Sequence, residues 1–224
     1  VAISGNRDHH ALIGLDALLR NELHRDGERG AAGGFGPDAF QFRQHYNGID
    51  NFAVAGALAP ADHAAGLAAV HAAGIVGDGV LLAQSWERFA EVMKPKGDGA
   101  WVLHSLTRGA DLDFFVLFSS AAGIIGSAGQ GAYAAANAVL DALAHYRRRL
   151  HLPAVSIAWG RWAVGMAAAV ADRDRRRWSR QGISEIELEV GLDLLGRLLR
   201  APSPQVTVLP IDWPTFLREP GGPR

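Results

Sequence analysis

Ser120, Tyr133 and Asn137 sit within FSSAAGIIGSAGQGAYAAANAVLDAL, the serine 13 residues ahead of the tyrosine and the asparagine 4 beyond it. Lys96 lies upstream in MKPKGDGAW. These four side chains suit the delivery of a proton to a carbonyl under reduction: hydride reaches carbon, and oxygen must gain a proton. A phenol is a weak acid near neutral pH, with a reference pKa of about 10. A lysine cation beside it favours the phenolate, lowers that value and makes the phenol a workable donor. Ser120 would hydrogen-bond the carbonyl oxygen as charge develops there. Asn137 would hold a water or the lysine. Each residue alone has a plainer reading: a turn serine, a rim aromatic, a packing amide, a solvated lysine. It is the spacing of all four that points to chemistry.

Such a site needs a strand ending at Ser120 and a helix opening near Tyr133. DFFVLFSS (113–120) is a near-continuous apolar run, as expected of a strand covered on both faces. YAAANAVLDALAHYRRRL (133–150) has a strong helical pattern and is stopped by Pro153. Asn137 then lies one turn beyond Tyr133 on the same face. The same alternation runs from about residue 63 onward. LAAVHAAG (67–74), AVSIAWG (154–160) and QVTVLPIDW (205–213) read as strands. SWERFAEVMK (85–94), with Ser85 as N-cap, and AWVLHSLTRG (100–109), ended by Gly109, read as helices. Ser184 and Glu187 form a capping-box pattern for a helix through Arg200, with Leu188, Leu192, Leu195 and Leu199 on one face. Strands separated by helices predict a Rossmann-like parallel sheet with flanking helices, and ligands gather at the carboxyl ends of such strands.

Composition narrows the classes. The 224 residues are 49% apolar, enough for one substantial domain or a domain with an extra segment. A net charge of −1 gives no overall field toward nucleic acid or an anionic membrane. There is no cysteine, which excludes disulfides and thiolate chemistry and is compatible with a cytoplasmic setting. No cluster suggests a metal site. No signal peptide and no membrane-length apolar run is read, and the first residue is Val, as in an excised piece of a longer chain or an unusual start.

From about residue 67 to 217 the chain resembles the ketoreductase domain of modular type I polyketide synthases, within the short-chain dehydrogenase/reductase superfamily. The motifs that carry the likeness are HAAGIVGDGVLL, RFAEVMKPKGDGAW, DFFVLFSSAAGIIGSAGQGAYAAANAVLDALAHYRR, LPAVSIAWGRW and PIDWPTF. The resemblance implies NADPH-dependent reduction of a β-ketoacyl thioester carried on an acyl carrier protein. It implies Tyr133 as proton donor and Ser120 as carbonyl-binding serine. Asn137 and Lys96 fit the exchanged pattern of this branch, in which the lysine comes from an earlier helix. Ala72, Ala73 and Gly74 match a strand end that passes near the cofactor, where a plain turn is the bland alternative. Trp159 and Gly160 match the wall beside the nicotinamide, where buried core is the alternative. Val76, Gly77 and Asp78 occupy the place of a Leu-Asp-Asp motif, and Ile125 stands where the opposite stereochemical class has tryptophan. That implies the D-configured hydroxyl, with Asp78 and Ile125 as stereocontrol positions. Residues 165–183 fall where the family has its substrate lid.

The front of the chain departs from the pattern. The family needs a first βαβ unit with a Gly-rich turn that cradles pyrophosphate. VAISGNRDHHALIG has wrong glycine spacing, and GAAGGFG (30–36) follows no buried strand, so a loop is expected there. FQFRQHYNGIDNFAVAGALAP shows no clear period. The expected division is an atypical segment 1–62, partly disordered, a catalytic region 63–218 and a tail 219–224. The first βαβ unit reads as incomplete, leaving 67–74 as an apolar sheet edge. Alternatives are a non-catalytic synthase remnant that cannot hold NADPH, or a module docking through that edge onto a chain supplying the missing half. The implied partners are the carrier protein and other synthase domains, with a dimer through the long helix as a further option.

Overall fold

Successive side chains of a strand point alternately to the two faces of its sheet. In the computed structural model, which describes residues 40–46, 49–58, 66–163 and 178–218, this alternation builds a six-stranded sheet in the order β1-β2-β3-β4-β5-β6. The strands are β1 (Phe40–Tyr46), β2 (Ile49–Leu58), β3 (Gly66–His71), β4 (Phe114–Ser120), β5 (Val155–Trp159) and β6 (Gln205–Val208). β3 to β6 are parallel, as the sequence predicts. The helices are α1 (Trp86–Met93), α2 (Gly99–Thr107), α3 (Gly131–Arg149) and α4 (Leu188–Leu198).

Helices cover both faces. On one, Ala69, Phe115 and Leu117 pack with Leu103 of α2 and Leu140, Leu143 and Ala144 of α3. On the other, Val70, Val116, Ile157 and Trp159 pack with Ile186, Leu195 and Leu199. Ser85 caps α1 as expected, its hydroxyl accepting from the Arg88 N–H at 3.3 Å. The capping box at Ser184 does not form. The chain at Ile186 is drawn into a parallel bridge with Trp162, and α4 starts one residue after Glu187 without a side-chain cap.

Two further expectations are corrected. The segment 40–58 is not without structure: β1 and β2 form an antiparallel hairpin, Tyr46 opposite Ile49. In sequence the two strands are separated by Asn47 and Gly48, which lie outside the described residues. β3 is also not a bare edge. β2 pairs with it antiparallel, Ala53 opposite His71 and Leu58 opposite Gly66. Residues 1–39, with Gly5 and the 30–36 glycine cluster, lie outside the described residues, as do most of the lid segment (164–177) and the tail 219–224.

Gly191 on α4 shows how tightly the second face is filled. A Cβ there would lie 2.2 Å from the Trp162 ring, which itself packs on Trp159 with centroids 4.8 Å apart. Alanine normally gains about 1 kcal/mol over glycine in a helix. Overpacking costs about 1–3 kcal/mol and wins where the obstacle is a held indole. Gly191→Ala is expected to lower the urea unfolding midpoint, and adding Trp162→Leu to recover it. A stabilised single variant would refute this packing account.

Candidate active site

β4 ends at Ser120, so its hydroxyl stands at the carboxyl rim of the parallel strands, where Oγ accepts from the Ala122 N–H at 3.2 Å. α3 begins at Gly131 and carries Tyr133 in its first turn, with the ring among Ile75, Val92, Ala132 and Ala136. Asn137 follows one turn on, fully buried, and Nδ2 donates to the Tyr133 carbonyl at 2.7 Å. Ser119 ties the same helix to β4, its Oγ donating to the Asn137 carbonyl at 3.3 Å.

Lys96 arrives by a different route. Between α1 and α2 the helical path continues through a wide turn, Lys94–Asp98, in which the Gly99 N–H reaches back five residues to the Lys94 carbonyl. Pro95 has no N–H to give an ordinary helix, and such turns occur where a helix absorbs that defect. Lys96 is buried, its Nζ 2.9 Å from the Phe118 carbonyl, to which it donates, and 5.5 Å from the centre of the Tyr133 ring. Gly74 makes room for it: a Cβ there would lie 2.8 Å from Lys96 Cε. Ser120, Tyr133 and Asn137 thus meet at one rim, as their places on strand and helix predict, and Lys96 joins them there.

The electrostatics differ from expectation at Tyr133. Burial raises its phenol above the ordinary value of 10.0, while the side chains of Ser120 and Asn137 pull in the opposite sense. Burial outweighs the pull of the Lys96 cation, because that ammonium donates to the Phe118 carbonyl and is itself desolvated. Burial pushes Lys96 down to about 7, with the Asp141 carboxylate pulling it up. Asp141 is a residue that the sequence did not single out. On the inner face of α3, its Oδ1 accepts from Ser156 Oγ at 2.6 Å and its Oδ2 from Gln205 Nε2 at 3.0 Å, joining α3 to β5 and β6. An acid on an otherwise apolar helix stripe was the available signal.

The other predicted positions fall around this rim. Ala72 is exposed, and Ala73 and Gly74 are buried just past β3. Trp159 lies opposite Ser120 across the β4–β5 ladder, but its ring turns into the core against Phe118 and Trp162. Gly160 has a packing reason of its own: a Cβ there would meet Leu209 Cδ1 at 2.8 Å and the Val208 carbonyl at 3.2 Å. Asp78 is exposed and accepts from Gln130 Nε2 at 3.0 Å, while the Gly79 N–H donates to Gly129 at 2.8 Å. These bonds fasten the 76–84 loop to the residues just ahead of Tyr133. Ile125 is 49% exposed on the turn after β4.

Four parallel strands with this serine, tyrosine and lysine at their carboxyl rim are the arrangement of the short-chain dehydrogenase/reductase superfamily. The chain belongs to the KR domain family of modular polyketide synthases, whose model matches residues 52–164. It is 48% identical over 167 residues to polyketide synthase GfsB of Streptomyces halstedii, covering 73% of this chain and 3% of that one. It is 42% identical over 149 residues to the phenolphthiocerol synthase Pks15/1 of Mycobacterium marinum, covering 66% of this chain and 7% of that one. Among solved structures, the ketoreductase from the first module of phoslactomycin biosynthesis in Streptomyces sp. HK803 superposes with a TM-score of 0.62 at 39% identity, covering 67% of this chain and 35% of that one. A-type ketoreductases from a modular polyketide synthase give 0.62 at 41%, covering 66% and 31%. The chain therefore spans a small part of its curated relatives and about a third of the solved ketoreductase chains.

Domains of this family generally bind NADPH. The described residues fit its reacting end. The run Ala72–Gly74 keeps small residues beside Lys96, with Ala72 exposed at the rim. They do not supply its pyrophosphate end beside β3. The strand there, β2, runs antiparallel, and its carboxyl end at Leu58 lies opposite Gly66, on the rim away from Tyr133. A strand in that direction cannot hand a Gly-rich turn to the crevice.

Proposed function

We propose that this chain reduces a β-ketoacyl thioester, presented by an acyl carrier protein, to the β-hydroxyacyl thioester in polyketide synthesis. The observation that carries this is the convergence of Lys96, Ser120, Tyr133 and Asn137 at one rim of the sheet. Ser120 Oγ holds the substrate carbonyl oxygen, and the Tyr133 phenol, protonated throughout the neutral range, gives that oxygen its proton. Lys96, when cationic, stabilises the phenolate left behind, and Asn137 fixes the first turn of α3 that carries the tyrosine. Ala72, Ala73, Gly74, Trp159 and Gly160 are the residues that would hold the reacting end of NADPH, which would supply the hydride. On this reading residues 63–218 are the catalytic region and the chain acts in the cytoplasm among other synthase domains. Asp78 and Ile125 flank the substrate entry, and the product carries the D-configured hydroxyl.

The test is titration of the full chain with NADPH by fluorescence, followed by turnover of a β-ketoacyl thioester. Saturable binding and cofactor oxidation that depends on the thioester are expected. No saturation at millimolar NADPH would overturn the reading. The lysine adds a pH signature. Because Lys96 titrates at about 7, turnover limited by proton transfer should fall as pH rises through that value and the ammonium is lost. A kcat/KM that is flat from pH 6 to 9 would remove Lys96 from the reaction.

A further inference from the structure

The wide turn at Lys94–Asp98 leaves a specific debt. In an ordinary helix the Pro95 carbonyl would accept from the Gly99 N–H, but that N–H is spent on the Lys94 and Lys96 carbonyls. A buried carbonyl without a donor is costly. His71, the last residue of β3, supplies one: its Nε2 lies 2.9 Å from the Pro95 oxygen. A carbonyl oxygen only accepts, so Nε2 carries the ring proton. The Nδ1 atom is then the lone-pair nitrogen, buried without a hydrogen-bond partner. Gly99 is matched to the ring, since a Cβ there would sit 3.2 Å from His71 Nε2. His71 is fully buried, and nothing in the proton delivery described above uses it.

We propose that His71 is a positioning residue for Lys96: by donating from Nε2 to the Pro95 carbonyl, from which the wide turn takes the Gly99 N–H, it holds the turn open and so keeps the lysine beside Tyr133. Without that donor the turn relaxes toward a regular helix, which regains the Gly99 N–H for Pro95. Rewinding rotates Lys96 away from Phe118 and toward water. The groups that face the ammonium in the present arrangement are Tyr133, Asp141 and His71 itself. Burial and the lysine charge both hold the His71 ring neutral, down to about 4, so the donor persists throughout the range in which Lys96 titrates.

The catalytic relevance rests on the ketoreductase reading, but the geometry can be tested without cofactor or substrate. Lysine occurs only at 94 and 96, so a lysine-13C-labelled chain gives two side-chain signals, and Lys94→Arg identifies the one from Lys96. The wild type should titrate near 7 at Lys96. His71→Gln, whose amide also donates, should stay there. His71→Phe, which fills the space but cannot donate, should move the midpoint up toward the ordinary 10.5. A folded His71→Phe chain with an unmoved midpoint overturns the proposal, and so does a Gln variant that shifts as far as Phe. Should the Phe variant not fold, nitrogen-15 spectra of wild-type His71 decide: a neutral Nε2–H ring at pH 7 supports it, and an Nδ1–H or doubly protonated ring overturns it. A chain that passes these tests yet reduces no thioester would cost the functional reading and leave the positioning role intact.

Discussion

Tyr133→Phe is expected to cut turnover of a β-ketoacyl thioester by about 10²–10⁴-fold, the usual contribution of a positioned general acid. The loss should fall on kcat, because the phenol's proton is needed only as charge builds on the substrate oxygen. Stability should hardly move. The ring packs among Ile75, Val92, Ala132 and Ala136, contacts that phenylalanine keeps, and losing a neutral hydroxyl that interacts with Ser120 and Asn137 costs about 1 kcal/mol. Measuring cofactor oxidation and the unfolding midpoint on the same preparation separates these effects. A Phe variant within twofold of wild type would remove Tyr133 as the donor, whatever else the chain binds.

Acid should weaken this fold well before its carboxylates titrate. Burial and the neighbouring Lys96 hold His71 neutral, with its pKa lowered from 6.5 to about 4. His104 is lowered too, by burial and then by Arg147, whose Nη1 lies 3.0 Å from the His104 Nδ1. Arginine can only donate there, so His104 must stay neutral to accept. Arg147 is itself fully buried, its guanidinium 3.6 Å from the Phe115 ring centre and its Nε donating to the Pro153 carbonyl. For both histidines the unfolded chain takes up protons first. The contribution of the two histidines is therefore full above pH 6.5 and falls as pH drops, by about 1.4 kcal/mol per pH unit for His71. For His71 the loss runs down to about pH 4 and totals roughly 3 kcal/mol. Lys96 acts in the same sense at higher pH, because its folded value of about 7 lies below 10.5, so stability keeps rising between those values. Urea midpoints should thus climb steadily from pH 4 to 9. A midpoint unchanged between pH 7 and 5 would contradict the buried neutral histidines. His104→Asn, which keeps an acceptor for Arg147, should make the acid slope shallower.

What the sequence showed and what it hid divide along physical lines. β4, β5 and α3 were legible because burial on both faces and a 3.6-residue period leave marks in every few residues. Ser120, Tyr133 and Asn137 were legible with them, since their spacing is set within one strand–turn–helix unit. Lys96 could be named but not aimed: its direction depends on the wide turn, which Pro95 permits and a residue 24 positions earlier, His71, completes. A polar residue at the end of the apolar run LAAVH was the only local sign. The depressed ammonium and raised phenol were hidden for the same reason, because burial belongs to the assembled fold. The hairpin was not legible because the residues of β1 and β2 do not alternate cleanly. At Ser184 the capping pattern was present, but the Ile186–Trp162 bridge took the backbone elsewhere.

The antiparallel placement of β2 also bears on the order in which the molecule assembles. β1, β2 and β3 are consecutive in the chain, and only residues 59–65 separate β2 from β3. A hairpin of this kind closes in about 1–10 μs, far sooner than strands that must wait for a helical crossover. On a ribosome it would be complete before β3 is made. The first parallel strand would then emerge onto a template already standing, and α1, Lys96 and α3 would be added to one growing side of the sheet.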